Sequence, residues 1–114
     1  MISTYEALAD PTRRRILDLL RERPRVVGEL VDALKITQPG VSKHLRVLRE
    51  VGLVRVRQDA QRRWYELSIE PLAEVDGWLA SYRHLIAERY ERLDEILSEL
   101  QEKENNDGQP NTDR

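Results

Sequence analysis

The sequence predicts a mainly α-helical fold with one small β-hairpin: about five helices and a two-stranded wing. Three observations carry this. Apolar residues recur at helical spacing over residues 3–51 and again over 71–100. Two alternating segments flank a short polar turn at residues 59–61. The 114 residues include no Phe, and 35% are charged, which suits a small helical domain better than a β-sandwich.

Residues 3–9 read as a short helix with Tyr5, Leu8 and Ala9 on its apolar side. Asp10-Pro11 then restarts the chain, because Asp is a good N-cap and Pro fits the first helical position. Ile16, Leu17, Leu19 and Leu20 give the next helix its apolar face, which stops before Pro24. Arg13, Arg14 and Arg15 could face phosphate, or form a solvated helix start paired with local acids; the second reading is preferred for two of the three. The stretch VVGELVDAL, residues 26–34, forms a third helix with Val27, Leu30, Val31 and Leu34 inward.

ITQPGVSKHLRVLRE, residues 36–50, opens with two residues that break a helix in its middle. At a helix start both fit. Thr37 caps through its hydroxyl, Pro39 lies in the first turn where its missing N–H costs little, and Gly40 permits close approach. Val41, Leu45 and Leu48 form the buried stripe. Gln38, Ser42, Lys43, Arg46 and Arg49 lie away from it, and the helix start carries free amides and positive dipole charge. Gly52 is placed as the C′ glycine.

In LVRVRQ, Val54 and Val56 share one face, and Arg55 and Arg57 the other. RRWYEL follows the turn Asp59-Ala60-Gln61, with Tyr65 and Leu67 inward and Trp64 outward. Pro71 opens a last helix reaching about Leu100. Leu72, Val75, Leu79, Tyr82, Ile86, Leu93 and Ile96 repeat along it with 3–4 spacing, which Arg89 interrupts. At 1.5 Å per residue such a helix is roughly 45 Å long, too long to bury its stripe against its own small domain. The expected cover is the same helix of a second copy. Gly77 within it predicts close packing or a bend. The domain is thus expected over 1–101, including a dimerisation helix at about 71–101, with a disordered polar tail at 102–114.

The net charge of −2 hides a segregation. Residues 35–63 carry eight basic side chains against Glu50 and Asp59, whereas residues 64–114 carry five basic and thirteen acidic ones. Two helices joined by a short turn, the second polar-faced, followed directly by an arginine-rich hairpin, make a winged helix-turn-helix. In such a unit Gln38, Ser42 and Lys43 reach base edges in the major groove. Arg46 and Arg49, with Arg55, Arg57, Arg62 and Arg63 of the wing, meet the DNA backbone or an adjacent minor groove. His44 either contacts DNA or packs beneath its helix.

LADPTRRRILDLL, VGELVDALKITQPGVSKHLRVLREVGLV and RRWYEL resemble the ArsR-type winged-helix repressors, over about residues 5–100. The resemblance implies a homodimer built from the first and last helices, binding double-stranded DNA at an inverted-repeat operator and blocking transcription. The wing turn departs from the family pattern, with Ala60 where Gly is usual. Metal-sensing members carry a thiolate box on the helix matching VVGELVDAL; this chain has no Cys. Another metal site of the family pairs His and carboxylates on the last helix. Here that helix has only His84, with Glu88 four residues on, so no metal and no cofactor is expected. A metal-responsive sensor using His84 and carboxylates is one alternative. A protein-interaction module with a merely solvated basic region is another. No nucleophile–base pair or Gly-rich phosphate loop suggests an enzyme. With no signal-like or membrane-length apolar run, a cytoplasmic, nucleoid-associated protein is expected.

Overall fold

The computed structural model describes residues 1–108, in the order α1 (Thr4–Ala9), α2 (Pro11–Glu22), α3 (Val27–Leu34), α4 (Gln38–Glu50), β1 (Val54–Asp59), β2 (Arg62–Leu67), α5 (Leu72–Ala80) and α6 (Arg83–Gly108). The chain divides into two compact units, Met1–Asp76 and Gly77 onward. This is the winged helix-turn-helix predicted by the sequence, with six helices among the described residues in place of about five.

In the first unit each helix starts where its cap chemistry dictates. Ser3 and Glu6 form a capping box on α1. Asp10 accepts the Thr12 and Arg13 amides at 2.8 and 3.2 Å, with Pro11 at the first helical position of α2. The α3–α4 turn is only Lys35-Ile36-Thr37, and Lys35 takes the left-handed conformation (φ 57°) to make it. At the end of α4, Gly52 (φ 82°) donates to the Arg49 carbonyl at 3.0 Å and Leu53 donates to Leu48 at 2.9 Å. That pair of bonds is a Schellman motif, and the positive φ is why residue 52 is Gly.

The core gathers Ile16 and Leu20 of α2, Leu30 and Leu34 of α3, and Val41, Leu45 and Leu48 of α4, with Leu53, Val54 and Tyr65 from the hairpin and its approach. The α4 stripe is the one expected. That of α1 is not: Thr4 and Ala7 are buried, while Tyr5 and Ala9 are exposed. Small residues let α1 sit close to the core, and the Tyr5 hydroxyl instead donates to the Glu74 carbonyl at 3.2 Å. The antiparallel hairpin pairs Val54 with Leu67 through to Asp59 with Arg62. Tyr65 also exchanges two backbone hydrogen bonds with Arg25, at 2.8 and 3.0 Å, which ties the wing to the α2–α3 connection.

The single long helix expected from Pro71 is broken. The Ser81 hydroxyl and amide both donate to the Trp78 carbonyl, at 2.7 and 3.3 Å, and the Tyr82 amide donates to Leu79 at 2.9 Å. Side-chain competition for a helix carbonyl and bonds closing over three residues end α5 there. α6 then restarts as the Tyr82 carbonyl accepts the Ile86 amide at 3.0 Å. It continues to Gly108, so residues 102–108 are helical where a disordered tail was expected; residues 109–114 of that tail lie outside the described residues. Apart from the chain neighbours and backbone of its own helix, no described atom lies within 4 Å of a Cβ placed at Gly77, so of the close packing or bend expected there the packing is not seen among the described residues. Leu72 packs against the first unit's core, and both Leu72 and Val75 are half-buried. Leu79, Tyr82, Ile86, Leu93 and Ile96 are exposed, as are Leu85, Leu97 and Leu100. Among the described residues, no helix is long and apolar enough to cross a membrane.

Candidate nucleic-acid interface

α4 presents one polar face. Gln38, Pro39, Ser42, Lys43, Arg46, Arg49 and Glu50 are exposed, while Val41, Leu45 and Leu48 on the opposite side are buried. The helix is therefore held rigidly from beneath, and its outward side chains are free to meet a ligand. Its start is fixed by the Thr37 hydroxyl, which accepts the Gly40 amide at 3.2 Å. A Cβ at residue 40 would approach that same hydroxyl to 3.2 Å, so Gly40 protects the cap. The free amides expected at this terminus are correspondingly fewer: Pro39 has no N–H and Gly40 spends its own on Thr37. Side chains, more than backbone, set what this end can bind.

His44 is turned away from the exposed face. It is half-buried, with Nδ1 3.5 Å from Nη1 of Arg13. Arg13 in turn donates to the carbonyls of Ala7 at 2.8 Å and Glu6 at 3.1 Å, and Arg14 donates to Leu8 at 2.6 Å. These two arginines close the C-terminus of α1; Arg13 is half-buried, whereas Arg14 and Arg15 are exposed. Partial burial pushes the Asp10 carboxyl up, but the Arg13 and Thr12 amides, helped by the charges of His44 and Arg13, bring it below its ordinary value.

The hairpin separates its arginines by face, because residues directly opposite in an antiparallel ladder share a side. Arg55 and Arg57 lie with Trp64, Glu66, Asp59 and Arg62; Arg63 lies with Tyr65, its guanidinium 5.8 Å from the ring centre. Arg62 and Arg63, expected to act together, thus point to opposite sides. Glu66 is the residue the sequence reading passed over. Its carboxylate accepts from Nε of Arg57 at 2.5 Å and lies 3.4 Å from Nε of Arg55, and Asp59 is 3.7 Å from Arg57. The Arg57 hydrogen bond holds Glu66 below the usual carboxylate range and raises Arg57 above its own. The signal was available: residue 66 falls opposite residue 55 once a two-residue turn sets the register. Trp64, expected outward, is half-buried. The turn itself is Ala60-Gln61, with Ala60 at φ 57°. A positive φ at the first of two central residues and not at the second is the type II′ pattern, which normally calls for Gly.

On α6, Nε2 of His84 is 3.6 Å from Oε1 of Glu88, and both side chains are well exposed. Among the described residues, no group of three or more His, Cys, Asp or Glu side chains is placed to hold a metal ion.

Comparison with known proteins agrees with this geometry. Residues 10–56 match the family described as bacterial regulatory protein, arsR family. The chain is 38% identical over 84 residues to the HTH-type transcriptional regulator Rv0081 of Mycobacterium tuberculosis, spanning 73% of this chain and 71% of that one. The chain belongs to the ArsR family. Another relative, the transcriptional repressor SdpR of Bacillus subtilis, is 29% identical over 82 residues, covering 72% of this chain and 91% of SdpR. Among solved structures, the homodimeric winged helix-turn-helix DNA-binding domain of Mb0332 from Mycobacterium bovis superposes with a TM-score of 0.56 at 29% identity, over 69% of this chain and 73% of that one.

Proposed function

We propose that this ArsR-family chain is a sequence-specific DNA-binding repressor that acts as a homodimer on an inverted-repeat operator in the cytoplasm. The observation that carries the reading is α4: a helix anchored by Val41, Leu45 and Leu48, whose opposite face exposes Gln38, Ser42, Lys43, Arg46 and Arg49. Gln38, Ser42 and Lys43 lie in its first two turns, where a recognition helix meets base edges; Gln suits adenine, Lys suits guanine. Arg46 and Arg49 further along, with the wing arginines, serve the phosphates. His44 has a supporting role under the helix. Residues 1–76 form the DNA-binding unit in this reading, and α6 with the end of α5 forms the dimerisation segment.

Dimerisation is supported by the exposed apolar residues of that segment, from Leu79 to Leu100, which a soluble monomer would leave in water. It is also supported by the homodimeric Mb0332 domain. A dimer supplies two recognition helices about one DNA turn apart, hence the inverted repeat.

The test is selection of binding sites from random duplexes with the full chain, together with sedimentation of the variant Leu79→Asp/Ile86→Asp. An enriched inverted repeat, bound by a dimer that the variant converts to monomer, is the expected result. No enriched sequence, or a variant that stays dimeric, contradicts the reading.

A further inference from the structure

The wing is less basic than its four arginines imply. On the face that holds Arg55, Arg57 and Arg62, two carboxylates are interleaved, Glu66 and Asp59. Glu66 is engaged by both Arg55 and Arg57, through its two separate oxygens, at 3.4 and 2.5 Å. The clasp covers the carboxylate, whose side chain is only 20% exposed, while the two arginines stay 66% and 49% exposed. A phosphate that approaches either guanidinium therefore competes with an acceptor already in place.

From this geometry we infer that Glu66 is a specificity-determining residue: it withholds Arg55 and Arg57 from phosphates of arbitrary DNA and yields them when α4 is seated on its operator. The inference rests on the DNA-binding reading above. Exposed ion pairs are weak, so the exchange of carboxylate for phosphate is easily driven when base contacts hold the wing beside the backbone. On unrelated sequence the complex is loose, no such local concentration exists, and the arginines stay on Glu66. The carboxylate thus acts against the wrong partner more than for the right one.

The distinguishing signature is the salt dependence. Each phosphate contact contributes ~0.9 to the slope of log affinity against log salt. In Glu66→Gln, whose neutral amide is close in shape, Arg55 and Arg57 become available on any duplex. Binding of the full-length chain and of Glu66→Gln is to be measured by fluorescence anisotropy on the selected operator and on a scrambled duplex, at several salt concentrations. Thermal melts confirm that both are folded. We expect the variant to bind scrambled DNA roughly three- to tenfold more tightly, with a slope steeper by ~0.9 to ~1.8. On the operator, where both contacts are already made, the slope stays unchanged and the operator-to-scrambled ratio falls. Adding Arg55→Ala and Arg57→Ala to Glu66→Gln should abolish the gain. Weaker binding of Glu66→Gln to both duplexes would mean that Glu66 orients the arginines for binding, and an unchanged ratio would mean that it is neutral; either overturns the inference while leaving the DNA-binding reading standing. If the wild-type chain binds neither duplex, both fall.

Discussion

The Thr37 hydroxyl accepts the Gly40 amide at 3.2 Å, and a Cβ at Gly40 would meet that same oxygen at 3.2 Å. The two residues form one device that fixes where α4 begins and so where Gln38, Ser42 and Lys43 stand. Thr37→Ala should cost about 1 kcal/mol of stability, read from urea unfolding, and Thr37→Ser should restore most of it. Equal stability of all three proteins would show that the cap contributes nothing.

The wing turn carries a local conflict. Ala60 sits at φ 57° in a two-residue turn of the type II′ pattern, a conformation costing a non-glycine residue roughly 1–2 kcal/mol. Glycine relieves this but loses about 0.4–1 kcal/mol through its freer unfolded chain. Ala60→Gly should therefore stabilise the protein by up to about 1.6 kcal/mol, seen as a higher urea midpoint with an unchanged slope. A lower midpoint would mean that the turn is not strained.

Arg13 lies in the basic run of residues 13–15, which the sequence alone leaves open to a phosphate role. Its guanidinium is spent on the Ala7 and Glu6 carbonyls and lies against His44, with the side chain only 16% exposed. Arg13→Ala should lower stability by about 1–3 kcal/mol through the lost charged hydrogen bonds. The salt slope of DNA binding by the folded fraction should not change. A slope reduced by ~0.9 with unaltered stability would make Arg13 a phosphate contact instead.

Most of the first unit was legible because its signals are local. Asp10-Pro11, Thr37 with Pro39, Gly52 and the Val41-Leu45-Leu48 stripe each specify a cap or a face without help from distant residues. Where distant contacts decide, the reading missed. Tyr5 looks like core until the Glu74 carbonyl draws its hydroxyl to the surface. One local competition also escapes apolar spacing: the stripe of the last helix runs on across Ser81, yet the Ser81 hydroxyl turns on the Trp78 carbonyl three residues back and ends α5. At the candidate interface the α4 face was readable from spacing alone. The clasp of Glu66 on Arg55 and Arg57 becomes readable only when the turn is taken as the two residues Ala60-Gln61, in place of Asp59-Ala60-Gln61, because the turn sets the register that decides which charges meet.

The central claim is that the exposed face of α4 reads bases while the wing holds phosphate. The most direct test measures Lys43→Ala and Arg62→Ala against the selected operator, its single-base variants and a scrambled duplex across a range of salt. Lys43→Ala should cost about 1–3 kcal/mol on the operator and relax preference at particular base positions. Arg62→Ala should weaken every sequence to a similar degree and lower the salt slope by ~0.9. The account is contradicted if Arg62→Ala alters sequence preference while Lys43→Ala changes only the salt slope.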